Sequence, residues 1–169
     1  MTKDKLATIV VIASCLGVLI FGLSKGKPID QYMPRDPEEK QLIDLIKKFH
    51  RARAEYNPEN YFSCLSESGR FMFSGSPMLS KKELEKRLPG FWTDLKSGNM
   101  TTRAYSRESL NGNFLDGNFF DPVIRIEGRK AHAVLKFITP ILRWQTMLFL
   151  DFEKADKGWL ITRFEWDMG

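Results

Sequence analysis

The end of this chain constrains its fold most. The stretch "TMLFLDFEKADKGWLITRFEWD", Thr146 to Asp167, alternates apolar and polar residues on both sides of one charged turn. Successive side chains of a strand point to opposite faces, so the pattern reads as a hairpin with one buried face. Its strands are expected over Gln145–Glu153 and Trp159–Asp167, with "KADKG" as the turn. A second pair, Val123–Glu127 and Ala131–Thr139, turns at Gly128 and Arg129. Thr101–Leu110 reads as a further strand, and "NGNFLDGNFFDP", Asn111 to Pro122, as a turn-rich loop. Strict alternation in the last strand puts Trp159, Ile161, Arg163, Glu165 and Asp167 on one face. Leu160, Phe164 and Trp166 then share the other. An antiparallel meander cannot cover its own apolar face, so helices must.

Those helices are legible upstream. From Glu38 to Tyr56, Leu42, Leu45, Ile46, Phe49, Ala52 and Tyr56 recur at spacings of three and four, the period of an amphipathic helix. Asp36 suits the cap, Pro37 the first turn, and Glu38 and Glu39 the positive end of the helix dipole. Lys47, Lys48, Arg51 and Arg53 load the other end. Asn57 and Pro58 break the pattern. "PENYFSCLSES" then starts a short second helix, with Tyr61, Phe62 and Leu65 inward and Gly69 ending it. "RFMF" reads as a short strand. "SKKELEKRLPGFWTDLKSG" reads as a third helix, with Ser80 and Glu83 spaced as a capping box. Its stripe is Leu84, Leu88, Phe91, Trp92 and Leu95, and Pro89 is expected to bend or divide it.

The start of the chain bears on location. Leu6–Leu23 is 18 residues without a charge. As a helix it is about 27 Å long, close to the roughly 30 Å of a bilayer's hydrocarbon core. That length exceeds the usual signal-peptide apolar region and favours a retained single-pass anchor. Two alternatives stay open. One is cleavage after Gly22-Leu23-Ser24. The other is lipidation at Cys15, because "IASC" resembles a bacterial lipobox. Lys3 and Lys5 nearly balance Lys25 and Lys27, and the short tail before the span places the large domain outside a bacterial inner membrane, in the periplasm. Residues 24–36, rich in Gly, Pro and mixed charge, read as a linker. Residues 37–169 read as one domain.

Composition narrows the function classes. The chain has 169 residues and a formal net charge of +5. That surplus fits a surface beside anionic lipid as well as it fits nucleic acid, and no nucleic-acid motif supports the latter. Cys64 is the lone cysteine of the domain and reads as a small buried hydrophobe. The Asn111–Pro122 loop has too few aligned carboxylates for a calcium repeat. No metal-ligand spacing or Gly-rich phosphate loop appears, and no cofactor is implied.

Taken in order, the long amphipathic helix, the "NPENYFSCLSES" helix, the "MLSKKELEKRL" helix and the strands "RKAHAVLKFITP" and "TMLFLDFEKADKGWLITRFEWD" resemble the NTF2-like superfamily, with its SnoaL-like and ketosteroid-isomerase-like members. The closing hairpin, Lys157-Gly158-Trp159 followed by "WLITRFEW", carries the resemblance furthest. It spans about Pro37 to Asp167. It implies an α+β cone, with three N-terminal helices packed in a curved antiparallel sheet and a pocket at the wide end. The layout of one anchor and one such domain also resembles the VirB8-like components of type IV secretion systems.

Such a fold hosts enzymes, binders and assembly domains. A ketosteroid-isomerase-like site needs a carboxylate base and a facing donor in a dry pocket. Candidate donors are Tyr56 and Tyr61, and candidate bases are Asp94, Asp121 and His132, which with His50 completes the histidines. Phe91, Trp92, Phe137 and Trp166 are candidate pocket lining. Arg163, Glu165 and Asp167 read as a solvated strand face. No pair stands out as an acid–base set. The expectation is a membrane-anchored, non-catalytic domain that binds a protein or helps assemble an envelope complex, with a homodimer through the sheet face around Gln145–Glu153. The alternative is a small-molecule binder or SnoaL-like isomerase or hydrolase using the cone.

Overall fold

The computed structural model describes residues 26–72, 77–97, 118–138 and 145–167. The apolar run with Cys15, the Thr101–Leu110 strand and most of the Asn111–Pro122 loop lie outside the described residues. Within them, no helix is long and apolar enough to cross a membrane.

The first helix, α1, spans Pro37–Ala54. The Asp36 carboxylate accepts the Glu39 amide at 2.8 Å, which satisfies one of the orphan donors of the first turn. Leu42, Ile43, Ile46, Phe49 and Ala52 are buried along one face. The helix ends before Tyr56, which adopts a left-handed φ of 54°. There the Asn57 amide donates to Ala52 and the Tyr56 amide to Arg53, the bond pattern of a Schellman motif. Tyr56 therefore closes the helix rather than continuing its stripe.

The second helix, α2, covers only Pro58–Ser63. The expected continuation to Gly69 is instead strand β1, Leu65–Phe71. Its polar residues Glu67, Ser68 and Arg70 are exposed while Leu65 and Phe71 are buried, a pattern a strand satisfies. Gly69 stands under the Phe71 ring, where a Cβ would collide. Strand β2 is the short Leu79–Ser80. Helix α3, Lys81–Ser97, runs through Pro89 as one helix. The Thr93 hydroxyl donates to the Pro89 carbonyl at 2.9 Å. The Ser80–Glu83 capping box forms in both directions, at 2.8 and 3.3 Å.

Four longer strands follow: β3 Asn118–Glu127, β4 Lys130–Ile138, β5 Gln145–Ala155 and β6 Gly158–Asp167. The sheet order is β2-β1-β6-β5-β4-β3. β1 runs parallel to β6, so the sheet is mixed and not purely antiparallel. β1 and β2 also separate the second helix from the third.

Two bulges reset the alternation. Between β5 and β6 the register passes from Asp151↔Arg163 to Phe152↔Ile161, leaving Thr162 as the extra residue. One added residue flips every later side chain. Trp159 and Ile161 therefore share the helix-covered face with Phe164, while Arg163 is exposed on the other. This corrects the face assignment from strict alternation. In β3 the register shifts between Phe120 and Val123, at Asp121 (φ 48°) and Pro122. The bulge admits a proline to an edge strand and lets β3 begin five residues before Val123.

Residues 26–36 are not a free linker. Pro28 bridges Phe120, the Lys27 amide donates to Asp121 at 2.9 Å, and Ile29 is buried in a 3-10 turn. Glu39, fully buried, accepts the Tyr32 hydroxyl at 3.0 Å and the Arg35 guanidinium at 2.7 Å. Arg35 also donates to the Ile124 carbonyl. The segment is thus fastened to both α1 and the edge of β3.

Candidate functional site

The inner face of the sheet meets α1 in a run of aromatic rings. Near α2 and α3, Tyr61 stacks on Phe49 with centroids 4.8 Å apart and meets Trp92 edge-on at 5.3 Å. Tyr56 meets Trp92 edge-on at 5.9 Å. Toward the edge strands, Phe119, Phe137 and Trp166 contact one another at 5.4 to 6.4 Å. Of the expected lining, Tyr56, Tyr61 and Trp92 come together in the first group and Phe137 and Trp166 in the second. Phe91 packs against the core, partly buried.

Two polar side chains of α1 face the second group. His50 and Arg53 are three residues apart, hence on one helix face. The His50 ring lies 4.6 Å from Phe119 and 6.3 Å, edge-on, from Phe137. The Arg53 guanidinium carbon sits 4.8 Å from the Phe137 and Trp166 ring centroids alike. Burial, helped by the nearby Arg53 charge, lowers the His50 pKa to about 4, so the imidazole is neutral at physiological pH. Its Nδ1 is buried and, among the described residues, has no hydrogen-bond partner. Burial pushes the Tyr61 phenol well up, and Arg53 offsets this only in part. Tyr61 therefore keeps its proton. His50 and Trp166 are both partly exposed, so this end of the aromatic group reaches the surface.

Neither His50 nor Arg53 stands out in the sequence as a site residue, and Arg53 reads there as part of the basic end of its helix. The usable signal was their spacing beside Phe49: a polar pair where the apolar stripe turns toward the sheet.

His132 is not part of this interior. It points from β4 to the outer face, where its Nδ1 lies 2.8 Å from Asp151. Arg163 lies 3.8 Å from Asp151 and also pairs with Glu165. These residues, with Val134 and Phe149, line an open groove of about 360 Å³ on the outer face. The sheet itself stands between His132 and the tyrosines, so they cannot form an acid–base set. The other expected bases are also elsewhere. Asp94 is exposed on α3, and Asp121 serves the β3 bulge. Cys64 is buried, its thiol donating to the Asn60 carbonyl at 3.2 Å, and burial raises its pKa. Among the described residues, no three His, Cys, Asp or Glu side chains cluster closely enough to hold a metal ion.

No protein-family model matches the chain, and no curated protein matches it. Solved structures do. A protein provisionally named a ketosteroid isomerase, from Shewanella frigidimarina, aligns with TM-score 0.52 and 18% identity, over 75% of this chain and 94% of its own. A protein provisionally named a calcium/calmodulin-dependent protein kinase II association domain, from Xanthomonas campestris, aligns with TM-score 0.54 and 17% identity, over 83% and 92%. An NTF2-like protein with a cystatin-like fold, from Novosphingobium aromaticivorans, gives TM-score 0.55 and 14% identity, over 78% and 84%. Identities this low speak to architecture alone: this chain has an α+β, NTF2-like fold with a mixed sheet.

Proposed function

We propose that the chain binds a small, largely apolar molecule between α1 and the inner face of the sheet, without catalysing its conversion. The carrying observation is the polar pair His50 and Arg53 set against Phe119, Phe137 and Trp166 where the aromatic group reaches the surface. Ligand sites are mostly apolar with a few placed polar groups, and this arrangement has that composition. The carboxylates considered as bases lie elsewhere, which favours binding over proton abstraction. Leu6–Leu23 would tether the binder at a bacterial membrane. The test is to purify the full-length chain gently, denature it and identify released small molecules by mass. A stoichiometric apolar compound supports the reading. No released compound, together with no binding from a set of apolar fragments, removes it.

A specific observation also favours a protein contact on the outer face. Val123 and Phe149 are 68% and 41% exposed, and both stand opposite Val134 in register. This apolar strip, bordered by His132, Asp151 and Arg163, fits a second copy or an assembly partner. Phe149→Lys should then shift the sedimentation of the full chain toward the monomer. An unchanged profile argues against a sheet-face dimer.

A further inference from the structure

We infer that the molecule bound in this interior carries a carboxylate, and that His50 and Arg53 recognise it; this rests on the binding reading above. Four features of the site lead there.

The first is the unmade hydrogen bond. His50 Nδ1 is buried without a partner among the described residues. A buried polar atom left unpaired is destabilising, and a ligand atom placed against it would remove that cost. The second is rigidity. Phe119 and Phe137 hold the His50 ring, and Phe137 and Trp166 hold the Arg53 guanidinium. Both groups are therefore positioned before any ligand arrives, which limits the entropy lost on binding.

The third is charge. Arg53 is always cationic and only 8% exposed, so its field acts in a poorly solvated region. His50, neutral beside it, can present an N–H. A carboxylate accepts from that N–H and is attracted by the guanidinium. An ammonium group is repelled, and a neutral amide or alcohol gains hydrogen bonds but little from the charge. Charge-assisted hydrogen bonds are about twice as strong as neutral ones. The fourth is shape. Phe119, Phe137 and Trp166 offer flat apolar surfaces, which suit an aromatic or alicyclic body. Together they describe an apolar carboxylic acid, with its acid group toward the last turns of α1.

The test is calorimetric titration of the full-length chain at pH 7.5 with 2-naphthoic acid and with 2-naphthamide, its neutral counterpart. The acid should bind at least about tenfold more tightly. His50→Phe, which keeps a ring against Phe119, and Arg53→Met should each weaken the acid more than the amide and so erase most of that preference. Thermal unfolding confirms that each variant is folded. Should either fail to fold, the comparison of acid and amide on the unaltered chain decides alone. Equal binding of acid and amide overturns the carboxylate inference and leaves the binding reading standing. A preference that survives both substitutions overturns the role of the pair. No binding of either compound at millimolar concentration counts against both.

Discussion

Arg53 joins the last turn of α1 to the end of β6 by placing its guanidinium carbon 4.8 Å from the Trp166 ring centroid. A cation over an aromatic face in a poorly solvated site is worth about 1–2 kcal/mol. A double-mutant cycle with Arg53→Met and Trp166→Leu, read by urea unfolding, should give a coupling energy of about 1 kcal/mol. Strictly additive effects would mean that the contact contributes nothing to stability.

His50 makes stability depend on pH. Its pKa falls from 6.5 to about 4 on folding, because burial disfavours the charged ring. Below pH 6.5 the unfolded chain takes up a proton that the folded chain refuses. Stability is therefore lost as the pH drops from 6.5 toward 4, by up to about 3 kcal/mol. His50→Phe should flatten the profile in that window. A variant whose stability still declines as steeply between pH 6.5 and 4 would show that other groups govern it.

Glu39 acts at lower pH. Burial by itself raises its pKa, but bonds from Arg35 and Tyr32 outweigh burial and hold it below the ordinary carboxylate value. A depressed carboxyl stabilises the fold above its unfolded pKa, and that contribution disappears as pH falls through the folded value. Glu39→Gln should cost about 2 kcal/mol at pH 7, with the gap narrowing below about pH 4. Chemical denaturation at both pH values checks this. A gap that persists under acid would trace to packing instead of charge.

Much of the architecture is legible in the sequence because the periods are strong. The α1 stripe, the Asp36 cap, the Ser80–Glu83 box and the closing hairpin all follow from local chemistry. What escaped was set by long-range pairing. Nothing local in "LSESGRF" announces that it lies parallel to β6, so its sequence reads as helix and only partly as strand. The extra residue at Thr162 has no signature either, yet it decides which face Arg163 and Phe164 occupy. The site was half legible for the same reason. Aromatic residues identified the interior, but His132 could be excluded from it, and His50 and Arg53 included, only once the strand faces and the helix orientation were fixed.

The bulge itself makes a sharp prediction. Thr162 is the unpaired residue between the Asp151↔Arg163 and Phe152↔Ile161 registers. Deleting it would bring the strand to strict alternation and leave Trp159, Ile161, Phe164 and Trp166 on the helix-covered face. The deletion variant should therefore still unfold cooperatively on heating. Thr162→Ala, which keeps the residue count, should unfold within a few degrees of the parent, as about 0.5 kcal/mol would allow. A deletion variant that loses cooperative unfolding would show that the fold needs the bulge itself.

The central claim is that ligands enter the interior beside His50 and Arg53. The most direct measurement is nitrogen-15 NMR of the tryptophan indoles in the full chain during titration with 2-naphthoic acid. Trp166 lies at this site. Trp159 sits at the other end of β6, its indole donating to Glu38 at 3.0 Å. The account predicts that the Trp166 indole signal shifts in a saturable way while that of Trp159 stays put, and that His50→Phe weakens the effect. A still Trp166 signal, with perturbations confined to outer-face residues such as His132 and Phe149, would contradict it.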